Sequence, residues 1–201
     1  MDDLIHQALY FSTNEGFDSL YPDRFRRLSK RHWTPLGVAR KAAHFLSSAP
    51  AGNKILDIGS GVGKFCLVGG HYFRDRHFYG VEQRPELVRQ AEAVRQFTGR
   101  DNVTFIHANV TDLDLAAYDH FYFYNAFFEN LVEESDRIDN RLDYSEGLYN
   151  QYAGYVYRAL ETKPAGTRLV TFHSLLDEIP PGYRMVYNTM SLLLRCWIKE
   201  E

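Results

Sequence analysis

The first feature that could carry chemistry is a short loop in which Gly59, Gly61 and Gly63 occupy alternate positions. The loop follows an apolar segment, residues 54–58, that predicts a buried strand, and a helical pattern begins directly after it. Glycine permits positive φ angles and lets a ligand approach the backbone closely, and the first turn of the helix has unpaired N–H groups. The loop therefore predicts a cradle for a nucleotide-like ligand at the carboxyl end of the first strand.

The spacing around this loop argues against two other glycine-rich motifs. A dinucleotide-binding fingerprint needs glycine or alanine three residues after Gly61, where Lys64 stands. A phosphate-binding P-loop needs glycine at the position of Ile58 and serine or threonine at that of Phe65. A nicotinamide oxidoreductase is therefore disfavoured, and Lys64 is expected to be a solvated residue of the first helical turn.

An acidic residue, Glu82, stands directly after the second predicted strand, residues 77–81. It follows the glycine loop by about 20 residues, the spacing at which a carboxylate can accept hydrogen bonds from both ribose hydroxyls of an adenosine group. A lone acid after a strand is a weak signal. Its combination with the glycine loop favours ribose binding by Glu82.

Asn125 and its aromatic neighbours form a third candidate site at the end of the fourth predicted strand, residues 118–124. The amide oxygen of Asn125 can accept a hydrogen bond from an attacking amine and orient its lone pair. Tyr124 and Phe127 can flank a planar or cationic group and exclude water. The alternative interpretation is that Phe127 and Phe128 belong to the core and that Asn125 caps a helix.

These candidates lie on a regular alternation of predicted strands and helices, which implies right-handed crossovers and a mostly parallel sheet. Near the end of the chain, residues 183–187 and 192–198 predict two strands whose short connection permits antiparallel pairing but no parallel crossover. The predicted fold class is α/β, with a mostly parallel seven-stranded sheet, a C-terminal antiparallel hairpin and helices on both faces. The other predicted strands span residues 54–58, 77–81, 103–107, 118–124 and 168–173, and the helices span residues 64–73, 85–97 and 146–160.

The N-terminal residues 1–34 contain six aromatic residues and predict a cap of short helices. Thr34 and Pro35 favour the start of a longer helix, as an N-cap followed by a proline. Residues 35–201 are therefore predicted to form the main part of a single domain. Trp33 either covers the ligand or anchors the core.

The glycine loop, Glu82 and the segment after the fourth strand resemble the class I S-adenosylmethionine-dependent methyltransferases, over residues 50–175. Within that class the motifs resemble the non-SET histone-lysine methyltransferases, the telomeric-silencing-disruptor family. The resemblance implies a Rossmann-like fold, S-adenosylmethionine as the cofactor and direct transfer of its methyl group without a metal. The cofactor-binding residues that it implies are Asp57, Gly59, Ser60, Gly61, Gly63, Glu82, Asn109 and Val110.

The resemblance also has two departures at the candidate site. Methyltransferases of this class usually have an acid near the adenine after the third strand, where this chain has Asn109 and Val110. Many enzymes that methylate nitrogen have prolines after the asparagine, whereas Asn125 is followed by Ala126 and Phe127. By the resemblance, Asn125, Tyr124 and Phe127 would be the catalytic residues.

Composition excludes several other classes of protein. The net charge of −3 lacks the basic balance that is usual in a dedicated nucleic-acid-binding protein. Cys66 and Cys196 are far apart and form no CxxC motif, so neither a disulfide framework nor a cysteine zinc site is expected. The acidic N-terminus and the lack of a long apolar run predict a cytoplasmic protein that does not cross a membrane.

Two charged segments bear on the methyl acceptor. Residues 129–146 contain seven acids and two arginines, which can attract a cationic amine or form a solvated surface. Residues 24–41 contain seven basic residues, which can contact RNA phosphates or form a solvated helix face. We predict a methyltransferase that acts on an amine nitrogen, with a protein side chain favoured as acceptor. RNA, a small molecule, or a cofactor-binding module without turnover are the alternatives.

Overall fold

A computed structural model describes residues 9–200 of the chain. Its centre is one seven-stranded sheet with the strand order β3-β2-β1-β4-β5-β7-β6. The first and third strands have the predicted bounds. Each of the other five strands differs from its prediction by one or two residues at one end or at both. The strands are Lys54–Ile58 (β1), His77–Glu82 (β2), Val103–His107 (β3), His120–Tyr124 (β4), Arg168–Phe172 (β5), Tyr183–Thr189 (β6) and Leu194–Lys199 (β7).

The described residues also form seven α-helices and four short 3-10 turns, and the first four helices precede β1. The long helices form where apolar residues recur at helical spacing, and Pro85 begins one of them as predicted. The helices are Asn14–Asp18 (α1), Asp23–Arg26 (α2), Ser29–His32 (α3), Leu36–Ser47 (α4), Lys64–Tyr72 (α5), Pro85–Thr98 (α6) and Glu146–Glu161 (α7). None of the helices in residues 9–200 is long and apolar enough to span a membrane.

The pairing of the strands confirms the predicted sheet. β1 pairs in parallel with β2 and β4, and β4 pairs in parallel with β5. β7 is antiparallel to both β5 and β6, so the C-terminal hairpin closes one side of the sheet. The chain order reverses between β1 and β4, and in open α/β sheets ligands bind outside the carboxyl ends of the strands at such a switch point.

The two faces of the sheet bury separate hydrophobic clusters, so helices lie on both faces as predicted. Ile55 of β1 belongs to the cluster shared with α4, α5 and α6, whereas its neighbour Leu56 belongs to the cluster that contains Val156 and Leu160 of α7. Successive strand residues point to opposite faces, which explains this division. The resulting core holds the carboxyl ends of β1, β2 and β4 in a fixed arrangement.

The described part of the N-terminal segment packs against the first of these clusters. Phe11 and Phe17 are fully buried there, and the hydroxyl of Tyr21 donates a hydrogen bond to the carbonyl of Val62 at 2.9 Å. Trp33 is also buried in this cluster and packs edge-on against Tyr21, with ring centroids 4.8 Å apart. Of the two interpretations of Trp33, the structure supports the core anchor.

Lys64 corrects one prediction, because it is buried and not solvated. Only 4% of its side chain is exposed, and its ammonium group donates hydrogen bonds to Asp18 at 2.8 Å and to Asn14 at 3.0 Å. Asn14 also accepts a hydrogen bond from the backbone N–H of Leu36. The first residue of α5 therefore ties the glycine loop to the N-terminal helices.

Candidate active site

A cavity of about 320 Å³ opens at the carboxyl ends of β1, β2 and β4, at the switch point of the sheet. It is lined by the glycine loop, the residues that follow β2, β3 and β4, and part of α3 and of the segment 129–138. Eight of the predicted site residues meet there. They are Gly59, Gly61, Glu82, Asn109, Val110, Tyr124, Asn125 and Phe127.

Three of the predicted cofactor residues, Asp57, Ser60 and Gly63, do not line the cavity. Asp57 is 3% exposed and accepts a weak hydrogen bond from the thiol of Cys66 at 3.7 Å, and its burial raises the pKa of its carboxyl group well above the usual range. Ser60 packs against Gly80, where a side chain would come within 2.7 Å of Ser60 Cβ. The contact of these three residues with a cofactor stays a prediction.

The backbone of the glycine loop faces the cavity directly. Gly61 has a φ of +54°, and a Cβ atom built on it would meet no atom within 4 Å, so the space above it is open. Gly59 has a φ of +75° and leaves room for Ala126, whose Cβ would lie 2.6 Å from a side chain at this position. A ligand can therefore approach the loop backbone closely, as the sequence predicts.

The carboxylate of Glu82 lies beside this open backbone. Its two oxygens accept hydrogen bonds from the backbone N–H of Gly61 at 3.1 Å and from that of Arg84 at 2.9 Å. Burial raises the pKa of Glu82, while the charge of Arg84 and the two backbone donors oppose that rise. The carboxylate is fixed in orientation, and its remaining lone pairs can accept hydrogen bonds from a ligand in the cavity.

The segment after β4 forms the opposite wall. Asn125 has a φ of +44°, a left-handed conformation that asparagine tolerates better than most residues. The hydroxyl of Tyr124 donates a hydrogen bond of 3.4 Å to the carbonyl of Arg31. Phe127 is 6% exposed and packs against Phe123 and Tyr152, so it belongs to the core and also lines the cavity.

The side chain of Asn109, the predicted adenine contact, makes hydrogen bonds within the protein itself. The amide oxygen of Asn109 accepts hydrogen bonds from the backbone N–H and the hydroxyl of Thr111, at 3.1 and 3.0 Å. Its amide nitrogen lies 3.4 Å from the side-chain oxygen of Gln83. This asparagine therefore caps the short turn Val110–Asp112, and Val110 adds an apolar wall to the cavity.

Comparison with known families identifies the enzyme class. Residues 50–198 match the family model described as a methyltransferase domain. The chain belongs to this family. The match confirms the prediction of an S-adenosylmethionine-dependent methyltransferase, and it covers all seven strands except the last residue of β7.

Solved structures share this fold at low sequence identity. An RNA methyltransferase from Salinibacter ruber, in complex with S-adenosyl-L-homocysteine, aligns with a TM-score of 0.57 and 16% identity over 84% of this chain and 94% of its own. TrmN from Thermus thermophilus aligns with a TM-score of 0.59 and 18% identity over 89% of this chain and 52% of its own. At these identities the likeness shows the fold alone.

Closer sequence similarity is confined to a short stretch. Two tRNA (guanine-N(7)-)-methyltransferases from Synechococcus strains are 49% and 47% identical to the chain over 55 residues. Those residues make up 27% of this chain and 23% of each relative. The chain therefore matches about a quarter of the length of these relatives.

Arg84 is a site residue of the methyltransferase that the sequence analysis missed. It is 6% exposed, and its guanidinium contacts Glu82 at 3.4 Å, Glu129 at 2.5 Å and Asp139 at 3.5 Å. It also donates a hydrogen bond to the hydroxyl of Tyr144 at 2.9 Å. The sequence held a partial signal, because Arg84 stands two residues after Glu82 and residues 129–146 carry an excess of acids, but the pairing between them required the fold.

Arg84 and Arg31 form ion pairs with three of the seven acids of residues 129–146. Glu129 and Asp139 pair with Arg84, and Asp136 pairs with Arg31, which itself lines the cavity. The sequence alone left two interpretations of this segment, a site that attracts a cationic substrate or a solvated surface. Two of the three paired acids, Glu129 and Asp136, line the cavity, so their ion pairs weaken the negative field that a substrate would meet there.

His32 is a second cavity residue that the motifs did not reveal. It lies at the end of α3, and its partial burial lowers the pKa of its imidazole, while the nearby Glu129 opposes that effect. Phe128 is 40% exposed at the same mouth. In the part of the chain that the structure describes, no group of three or more His, Cys, Asp or Glu side chains is arranged to hold a metal.

Proposed function

We propose that this methyltransferase transfers the methyl group of S-adenosylmethionine to a nitrogen atom of RNA. The observation that carries the cofactor assignment is the buried carboxylate of Glu82, held beside the open backbone of Gly61 at the cavity. The cofactor would supply a methyl group on a positively charged sulfur: the nitrogen lone pair would form the new C–N bond as the C–S bond breaks, with S-adenosyl-L-homocysteine as the leaving group. A related fold in complex with S-adenosyl-L-homocysteine supports this choice of cofactor.

The residues of the cavity divide into two sets around such a cofactor. Glu82 accepts hydrogen bonds from the ribose hydroxyls, and the backbone of Gly59 and Gly61 faces the ribose and methionine parts. Val110 provides an apolar surface for the adenine, and Asn109 borders it. Direct contacts of Asp57, Ser60 and Gly63 with the cofactor belong to the same proposal.

The acceptor set lies on the segment after β4. The amide oxygen of Asn125 accepts a hydrogen bond from the acceptor nitrogen or a neighbouring N–H and orients the reacting lone pair. Tyr124 and Phe127 flank the acceptor, and the exposed ring of Phe128 can stack on a planar base at the mouth. Displacement at a methyl group depends chiefly on alignment, and good positioning can supply roughly 7–11 kcal/mol of the barrier.

RNA is favoured as the acceptor by two observations. Both relatives with about half of their aligned residues identical are named as tRNA methyltransferases, although the alignment covers only 55 residues. The two acids of residues 129–146 that line the cavity, Glu129 and Asp136, are paired with Arg84 and Arg31, so they offer little free negative charge to a cationic acceptor.

A protein amine is the second candidate acceptor. It is favoured by the motifs that resemble the non-SET histone-lysine methyltransferases and by the aromatic wall of Tyr124, Phe127 and Phe128, which can surround an alkylamine. The two candidates differ in what they require of the mouth. A lysine side chain needs free carboxylates, whereas an RNA base needs an exposed ring and nearby positive charge.

The test has a binding part and a transfer part. Calorimetric titration with S-adenosylmethionine, with NAD as the control ligand, is expected to show saturable binding of the first ligand alone. Glu82→Gln keeps the size of the side chain but removes its charge, and it should weaken cofactor binding by about tenfold or more. Equal binding by Glu82→Gln and the wild type would contradict the assignment of Glu82.

The transfer part uses S-adenosylmethionine with a radiolabelled methyl group and two acceptor pools, total tRNA and a mixture of basic proteins. Incorporation into tRNA supports the proposed acceptor, and incorporation into protein alone would replace it with the second candidate. Cofactor binding without transfer to either pool would contradict both acceptors.

A further inference from the structure

The helices α2 and α3 carry a concentration of positive charge that the rest of the chain lacks. Residues 22–32 contain five basic residues and one acid, although the chain as a whole has a net charge of −3. All five basic residues are exposed. We call them the basic helix surface, which consists of Arg24, Arg26, Arg27, Lys30 and Arg31.

The basic helix surface is continuous with the mouth of the cavity. Arg31 and His32, at the end of α3, line the cavity, and the carbonyl of Arg31 accepts the hydrogen bond from Tyr124. Arg31, the last residue of this surface, is therefore hydrogen-bonded to Tyr124, which directly precedes Asn125 in the cavity wall. A substrate that reaches the cavity from this side must pass over α3.

Part of this charge is free to meet a ligand. Arg26 pairs with Asp23, and Arg31 pairs with Asp136. Arg24, Arg27 and Lys30 have no ion-pair partner among the described residues. Acids beyond Arg31, on the turn Glu134–Asp136, limit the surface on that side.

The surface also has a rigid base. Phe25, between the basic residues of α2, is 4% exposed and belongs to the core, and the guanidinium of Arg24 lies 4.5 Å from the centre of its ring. Tyr21 and Trp33 anchor both ends of the segment in the same core. The backbone that carries the positive charges is therefore held in place beside the cavity, which reduces the ordering that binding would require.

We propose that the basic helix surface binds the phosphates of the RNA substrate and positions one of its bases at the cavity. This inference rests on the proposed function and adds the part of the protein that holds the substrate. Lys and Arg side chains neutralise phosphates and release counterions, which gives affinity without reading sequence. The residues that line the cavity, and not this surface, would select the nucleobase that is methylated.

The test compares two variants that each lose three positive charges. The first is the triple variant Arg24→Gln, Arg27→Gln and Lys30→Gln on the basic helix surface. The matched control is Lys54→Gln, Arg74→Gln and Arg158→Gln, three exposed residues near the amino ends of the strands, at the opposite edge of the sheet. Neither variant changes a residue that lines the cavity.

Binding is measured by fluorescence anisotropy with a labelled tRNA transcript over a series of salt concentrations, with S-adenosyl-L-homocysteine present. The surface variant is expected to bind the tRNA at least about tenfold more weakly than the wild type. The slope of the logarithm of its binding constant against the logarithm of the salt concentration should be smaller in magnitude by about 2–3. The control variant should keep both values. Methylation should show a raised KM for tRNA in the surface variant, with kcat close to that of the wild type.

Several results would overturn the inference. They are unchanged binding in the surface variant, an equal loss in the control variant, or binding of the wild type to anionic lipid vesicles but not to tRNA. Calorimetry with S-adenosylmethionine tests the proposed cofactor site separately, so a failure of this inference is distinguishable from a failure of that site. If the triple variant of the basic helix surface loses cofactor binding, tRNA binding is measured instead with the single variants Arg27→Gln and Lys30→Gln. Each should change the salt slope by about 1.

Discussion

The carboxylate of Glu82 and the side chain of Arg84 join the two halves of the site. Glu82 accepts a hydrogen bond from the backbone N–H of Arg84 at 2.9 Å, and the guanidinium of the same residue reaches Glu129 and Asp139 on the segment that covers the cavity. The acid at the end of β2 is thus linked, through one buried arginine, to the segment 129–139 at the mouth of the cavity.

Replacing Arg84 tests this link. Arg84→Met leaves Glu129 and Asp139 without their cation, and breaking a buried ion pair costs about 3–5 kcal/mol. We expect a lower free energy of unfolding in urea and faster hydrogen exchange across residues 129–144. Arg141→Met removes the exposed pair with Glu86 and serves as the control, with no resolvable change. Equal behaviour of the two variants would show that Arg84 does not hold the segment.

Gly61 provides a test of the open backbone that is independent of charge. Gly61→Ala puts a methyl group into the cavity and should weaken S-adenosylmethionine binding at least about tenfold, while a left-handed alanine costs about 1–2 kcal/mol of stability. Gly99→Ala is the matched control, because Gly99 has a φ of +62°, also meets no atom within 4 Å and ends α6 away from the cavity. It should lose similar stability and bind the cofactor normally, and a similar loss of affinity in both would refute a specific role for Gly61.

Asn125 is expected to act in the transfer step and not in cofactor binding. Asn125→Ala and Asn125→Gly both remove the amide, and each should lower kcat by about a hundredfold with cofactor affinity retained. Alanine adds strain at the φ of +44°, whereas glycine does not, so only Asn125→Ala should lose about 1–2 kcal/mol of stability. If activity follows stability, with the glycine variant active, the side chain of Asn125 has a structural role instead.

The pH dependence of cofactor binding should depend on Glu82. Because burial raises the pKa of this carboxyl above the ordinary 4.5, it takes up a proton earlier on acidification than an exposed glutamate does. A protonated carboxyl accepts hydrogen bonds from the ribose less well, so affinity should fall as the pH is lowered through this raised pKa. Calorimetry over a series of decreasing pH values should show that decline in the wild type and a flatter profile in Glu82→Gln. Identical profiles would exclude Glu82 as the titrating group.

Local patterns in the sequence determined most of the fold. Strand and helix bounds follow from apolar periodicity and from glycine and proline signals, all of which act within a few residues. β1 and β3 therefore have the predicted ends, and the short connection before β7 was enough to predict the hairpin. The glycine loop and Glu82 could be predicted as partners because parallel strands bring their carboxyl ends to one edge.

Only the tertiary structure decided which distant side chains complete the site. Arg84 meets acids 45 and 55 positions further along the chain, and Lys64 meets Asp18 from 46 positions away. Neither pairing leaves a mark in local periodicity, so Lys64 was predicted to be solvated and Arg84 was missed. Trp33 and Arg31 illustrate the same limit, since packing of the N-terminal helices placed the first in the core and the second at the cavity. Sequence determined the elements because their signals are short-range, whereas the environment of each charge depends on packing between segments far apart in the chain.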